Sequence, residues 1–311
     1  MKPFKGSKQQ VFLFPGIGVK PFGRECLFYA RYQAILTPFL DRASALAGVD
    51  LGQSLLDRTT FDQDQLSREL FAFAFSCGTF RVFHHRGLRP RLLAGHSMGI
   101  YAALVASGAL DFDQGLAITE KAHRLGEKYC SLKPFGVVVI IGLNHNELNE
   151  IIQQNGYSSI RLANLNNDCS GVYVGLKQET DRLLREADEQ GAIKTIPLRI
   201  SIPFHHPLFM AEVTRKLRAF LGTLDWCAPS CPILSALDHT LLTDIDQLIE
   251  MTAANLSRPI HWPGVITMLS AMNIGSVIEC GPGVSLTQHA GLIPNAPKHY
   301  NLKKLRRWLD Y

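Results

Sequence analysis

One serine and two histidines in this chain stand in patterns that enzymes use. Ser97 is the centre of Gly95-His96-Ser97-Met98-Gly99, a G-x-S-x-G pentapeptide. A serine on a sharp strand-to-helix turn needs small neighbours, because the backbone folds tightly there and a substrate must approach the hydroxyl. The amides that follow it open a helix, where they stabilise developing negative charge. The chemistry predicted is attack by the Ser97 hydroxyl on an acyl carbon. The competing reading is a serine N-cap with no reaction attached. A serine hydroxyl is a poor nucleophile until a base takes its proton, and His205 and His206 are the candidate bases downstream. His96, adjacent to the serine, is expected to be structural.

The elements that must hold these groups follow from the pattern of apolar residues. Gln10 to Phe14 is a short apolar run ending in Pro15-Gly16-Ile17-Gly18, which predicts a buried strand entering a tight loop. Arg91 to Ala94 is a second short strand, leading into the serine turn and a helix through Ala106. Helices are expected over Glu25–Leu46, Arg68–His85 and Asp111–Tyr129. The character then changes. Gly136–Gly142 predicts a β-branched strand, Asn144–Gln154 a helix, Ser159–Leu165 and Gly171–Gly175 two strands around a polar turn, Gln178–Gln190 a helix and Ala192–Leu198 a strand. That order is ferredoxin-like. The fold class expected is α/β: a hydrolase-like large subdomain over 1–133 and 200–311, with a ferredoxin-like small subdomain inserted at 134–199.

Composition narrows the function classes. The chain has 311 residues, 46% hydrophobic and 19% charged, ample for a globular core. No apolar run approaches the length of a membrane helix, and the polar, Lys-rich start, Met1 to Gln10, argues against a signal peptide. The seven cysteines include no C-x-x-C pair and read as reduced thiols of a cytoplasmic protein. Cys227 and Cys231 lack a second ligand pair at zinc spacing, so no metal is expected. A formal charge of +5 is too mild and dispersed for nucleic acid but suits an acidic protein partner.

These residues resemble a family. The chain is similar to the malonyl-CoA:acyl-carrier-protein transacylases and the acyltransferase domains of polyketide synthases, collinearly over nearly its whole length. Phe14 to Gly18 resembles the F-P-G-Q-G loop, and Gly95 to Gly99 resembles G-H-S-x-G, followed by Tyr101 and Leu104. Gly108 to Phe112 resembles the lead into the next helix. Asn164 and Asn166 match an N-x-N turn, and Ile202-Pro203-Phe204-His205 resembles the segment with the catalytic histidine. Arg258 to Trp262 and Glu279 to Gly283 match two late signatures. The resemblance implies ping-pong acyl transfer. Ser97 takes an acyl group from a thioester, coenzyme A or carrier protein, and a phosphopantetheine thiol of an acyl carrier protein removes it. No bound cofactor is implied, and a monomer without membrane or nucleic-acid partners is expected. The resemblance selects His205 as base, places the oxyanion hole at the backbone amides of Ile17 and Met98, and suggests that a backbone carbonyl at His261 orients the imidazole. Phe204 and Asn166 are expected to line the substrate site.

The departures from the family concern the acyl group. The family's carboxylate-binding arginine falls at Ala122, its glutamine at Ile17, and the acidic residue after G-H-S-x-G at Ile100. Arg124 lies roughly 200° further around a helix and does not substitute simply. A malonyl carboxylate buried without a charged partner costs several kcal/mol. An uncharged or larger acyl group is therefore expected, the other reading being a guanidinium supplied from elsewhere. The basic cluster Lys303, Lys304, Arg306 and Arg307 reads as a solvated helix face or as a docking aid for an acidic carrier protein. Three alternatives to the transfer of a non-malonyl acyl group are an acyl-carrier-protein hydrolase with the same Ser-His pair, a lipase-type esterase, and an inactive docking subunit. The esterase lacks a well-placed acid, since Asp168 and Asp188 fall in the insertion. The docking subunit conflicts with the presence of both Ser97 and His205. A malonyl transacylase with an atypical pocket is a fourth.

Overall fold

The computed structural model describes residues 9–17, 23–58, 64–130 and 134–311. The polar N-terminus, Gly18 of the first loop and residues 131–133, where the first subdomain boundary was expected, lie outside them.

The described strands, in chain order, are β1 (Gln9–Phe14), β2 (Arg89–Gly95), β3 (Phe135–Ile141), β4 (Arg161–Asn167), β5 (Ser170–Leu176) and β6 (Lys194–Leu198). They continue with β7 (Ile233–Leu234), β8 (Leu241–Leu242), β9 (Ile260–His261), β10 (Ser276–Glu279) and β11 (Lys298–Tyr300). They form two sheets. The larger has the order β11-β10-β1-β2-β7-β8, with every pairing parallel except β7 with β8. Its central strands are buried on both faces, as a parallel sheet covered by helices requires. Val11 and Leu13 face one apolar cluster, while Phe12 and Phe14 face another.

The smaller sheet has the order β6-β3-β5-β4-β9. Its first four strands are antiparallel, with the helices His145–Gln154 and Lys177–Glu189 between them. This is the ferredoxin-like order expected. Two details differ from the sequence reading. The turn between β4 and β5 is only Asp168-Cys169, because both strands run further into the polar segment than their composition suggested. β9, from beyond residue 200, adds a parallel fifth strand to β4, and two residues are too few for a sequence period to reveal.

Three helices frame the serine turn. Gln65–His85 is buried nearly all round and starts three residues earlier than expected, because the Asp64 carboxylate accepts from the amides of Leu66 and Ser67. Phe112–Cys130 turns an apolar face inward, with Ala122 and His123 on the buried side. Gly99–Ala106 is buried over most of its length. No helix among the described residues is long and apolar enough to cross a membrane.

Candidate active site

The serine turn is fixed by what its neighbours cannot be. A Cβ on Gly95 would stand 2.2 Å from the Ile100 amide nitrogen, and one on Gly99 2.2 Å from the Phe14 carbonyl oxygen. β2 therefore reverses into the helix against the end of β1 with no room for a side chain. Ser97 takes a left-handed φ of 54° at the apex. It sits at the carboxyl ends of the parallel strands, where α/β sheets place their sites.

Ser97 Oγ lies 2.7 Å from His205 Nε2. The other ring nitrogen, Nδ1, is 3.1 Å from the Arg258 carbonyl oxygen. A carbonyl only accepts, so Nδ1 carries the proton and Nε2 is left to accept from the serine hydroxyl. His205 is 4% exposed, and burial holds its imidazole down to about 4 against the opposing backbone hydrogen bonds. It is thus neutral at neutral pH, the form a general base needs.

The orienting carbonyl is that of Arg258, not of His261 as expected. His261 caps the helix Trp262–Ala271, its Nδ1 accepting from the Gly264 amide, while its own carbonyl accepts from His239 Nε2. The bend from Asn255 to Arg258 does the positioning. Asn255 Nδ2 donates to the Ser97 carbonyl at 3.3 Å, and the His205 amide donates to the Leu256 carbonyl at 2.7 Å. One segment therefore ties down both halves of the pair. Sequence reasoning missed it because two of its three contacts come from backbone atoms.

His206 is fully buried and occupied. Its Nε2 bonds the Ser159 carbonyl at 2.8 Å, its Nδ1 accepts from the Phe209 amide, and its ring stacks on Phe209. His96 is also buried, lies 5.2 Å from the Trp262 ring and is held down to about 3 by burial and by the neighbouring His289 and His205.

Beside the pair lies a pocket of about 320 Å³ including its mouth. Ile17, Met98, Ala122 and Phe204, four of the residues expected at the substrate, line it with Ser97 and His205. Met98 is the N-cap of the Gly99–Ala106 helix, so its amide belongs to the end that lacks intrahelical acceptors. Ile100 and Asn166 are not in the lining. Ile100 is packed in the core, 2% exposed, and Asn166 is buried on β4 beside His96. The changed residue at position 100 therefore does not touch the acyl pocket directly.

Among the described residues the lining contains no arginine or lysine. Arg124 points to the surface, bonded to Glu120 and near Glu127. The acidic residue that lines the pocket among the described residues is Glu69, on the Gln65–His85 helix. Its Oε2 is 3.0 Å from His123 Nδ1, and its Oε1 accepts from Gln65 Nε2 at 2.8 Å. Burial alone would lower His123, but the hydrogen bond and charge of Glu69, with Glu127 beside Nε2, raise it. Glu69 escaped sequence reasoning because its helix reads as apolar throughout; the one signal was an acidic residue inside that run.

The match to known proteins follows this geometry. No family model matches the chain. The malonyl CoA-acyl carrier protein transacylase of Salmonella typhimurium is 27% identical over 288 residues, covering 90% of this chain and 91% of that protein. The acyl carrier protein S-malonyltransferase structure from Vibrio cholerae is 27% identical, with a TM-score of 0.82 over 95% of this chain and 96% of that one. The chain is a homologue of these transacylases. The fold extends further, to a malonyl-transacylase solved with a type II polyketide acyl-carrier protein. That protein shares 24% identity and a TM-score of 0.86, covering 98% of this chain and 99% of that one. The enzyme class shared with these homologues is acyltransferase.

Proposed function

We propose that the chain transfers an acyl group from a thioester, through an ester on Ser97, to the phosphopantetheine thiol of an acyl carrier protein in fatty-acid or polyketide assembly. What carries the reading is the 2.7 Å contact between Ser97 Oγ and a neutral, carbonyl-anchored His205, at the mouth of an apolar pocket. The transacylase named for the Salmonella relative and the carrier-protein partner of the polyketide neighbour support it.

The first half-reaction runs as follows. His205 Nε2 takes the Ser97 proton as the serine oxygen bonds to the thioester carbon. The oxyanion would be met by the amides of Met98 and Ile17. The C–S bond breaks, and the departing thiolate takes the proton back from His205. In the second half, a carrier-protein thiol gives its proton to His205 and attacks the ester, and Ser97 recovers its hydroxyl. Nothing in this sequence calls for a bound cofactor or metal; the thioester is the substrate. A cytoplasmic setting, where carrier proteins and reduced thiols coexist, belongs to the same proposal.

The acyl group proposed is not malonyl. The support is a pocket lined by Ala122 and Glu69 and, among the described residues, by no cation to meet a carboxylate. The residue segments 1–133 with 200–311, and 134–199, are proposed as the two subdomains whose junction admits the pantetheine arm. The deciding experiment offers acylated wild-type protein a holo carrier protein and, separately, buffer alone. Acyl appearing on the carrier faster than free acid appears supports transfer. Free acid at the same rate in both would replace this reading with the hydrolase.

A further inference from the structure

The acyl pocket is lined by a carboxylate, whereas a charged acyl chain would call for an anion-binding group. Glu69 is only 3% exposed in the protein, yet it lines this pocket. A carboxylate offers about four lone-pair positions. Within the protein, one oxygen takes Gln65 Nε2 and the other faces His123 Nδ1. The carboxylate therefore keeps acceptor capacity beyond these two contacts, and it belongs to a residue that lines the pocket. Thr119, also in the lining, donates its hydroxyl proton to the Gly115 carbonyl and does not satisfy Glu69. Tyr101 in the same wall is pushed up by burial and, to a lesser degree, by the charge of Glu69.

We propose that Glu69 is a specificity-determining residue: it selects a short acyl chain that carries a hydrogen-bond donor, a hydroxyl or an ammonium group, and rejects a carboxylated one. The inference rests on the acyltransferase reading above. The Gln65–Glu69–His123 arrangement holds the carboxylate's orientation before substrate arrives, so a donor on the acyl chain meets a fixed acceptor. A plain alkyl chain of the same size leaves that acceptor facing the apolar chain, with its water removed and nothing in return. A malonyl carboxylate meets a like charge at close range.

The test is the rate of acyl-enzyme formation, read by intact-protein mass, with butyryl, 3-hydroxybutyryl (both enantiomers), 3-aminobutyryl and malonyl thioesters, on wild type and Glu69→Gln. The wild type is expected to load a donor-bearing chain about tenfold or more faster than butyryl, as one hydrogen bond to a charged acceptor allows. Malonyl should be slowest. In Glu69→Gln the preference should shrink and the rejection of malonyl should ease. The hydroxyl and amino arms show which donor is used; either supports the inference. Equal wild-type rates for butyryl and the donor-bearing chains would overturn it while leaving acyl transfer standing. A Glu69→Gln protein that is merely less stable, with unchanged ratios, would also overturn it and make the Glu69–His123 pair structural. Should Glu69→Gln not fold, the wild-type ratios decide alone. No acylation by any donor would remove the acyltransferase reading itself, and this inference with it.

Discussion

Ser97 and His205 share an unusual backbone conformation: both lie in the left-handed region, with φ of 54° and 66°, and their side chains meet at 2.7 Å. A non-glycine residue held at positive φ costs of order 1–3 kcal/mol and persists only where its surroundings fix it. Here the fixing groups are identifiable. Gly95 and Gly99 let the serine turn close onto β1, and the Asn255–Leu256 bend holds the Ser97 carbonyl and the His205 amide. The strain sits where preorganisation is useful, because the pair is aligned before a thioester arrives.

The two adjacent histidines should separate cleanly by variant. His205→Ala should lower acyl-enzyme formation by about a hundredfold or more, the usual contribution of a positioned general base being ~10²–10⁴. His206→Ala should act mainly on stability, costing roughly 1–3 kcal/mol, because it leaves the Ser159 carbonyl without its buried partner. Rate measurements on folded protein, alongside urea midpoints, distinguish them. A larger rate loss for His206→Ala would mean that the wrong base has been chosen.

The pH profile should carry the signature of a buried, neutral base. His205 is held down to about 4, so acyl-enzyme formation should keep its rate from neutrality down through pH 6.5 and fall only near 4. The protein itself should weaken over the same interval. His96, His205 and His289 are lowered to about 3, 4 and 4. Between those values and the ordinary histidine range the unfolded chain binds more protons than the folded one. Stability therefore declines as pH falls below about 6.5 and continues to decline towards 4. Rapid-quench rates after brief pH jumps separate the two effects. An acid limb centred at or above 6.5 would contradict the buried-base geometry.

Restoring an anion-binding group at position 122 tests the acyl pocket. Ala122→Arg should raise malonyl loading relative to neutral chains. The gain should be limited, since the new guanidinium meets Glu69 in the same lining. Combined with Glu69→Gln it should exceed the sum of the single changes, as expected for residues that share a pocket. Competition between malonyl and acetyl donors gives the ratios. Efficient malonyl loading by the unmodified protein would overturn the pocket argument while leaving acyl transfer intact.

How much of this was legible in the sequence depends on which atoms do the work. The strand–turn–helix around Ser97 could be read because glycine is required where Gly95, ending β2, meets the Ile100 amide and where Gly99, opening the helix, meets the Phe14 carbonyl. The βαββαβ order of the small sheet could be read because its apolar runs and helices alternate cleanly. The fifth strand could not, since Ile260–His261 is too short for a period and pairs far along the chain with Asn164 and Leu165. The histidine anchor was placed at His261 rather than Arg258 because a carbonyl carries no residue-type signal. Ile100 was expected at the acyl group because the family it resembles carries an acidic residue after G-H-S-x-G, but it is packed in the core. Glu69 was hidden in an apolar helix, where only the fold brings it beside Ala122 and pairs it with His123.

The most direct measurement of the account is the mass of the intact protein after exposure to a panel of acyl thioesters, followed by peptide mapping of the adduct. One acyl group per chain is expected, carried on the peptide containing Ser97, lost when a holo carrier protein is added and never formed by Ser97→Ala. An acyl adduct on another residue, or a Ser97→Ala protein that still gains acyl mass, would contradict it.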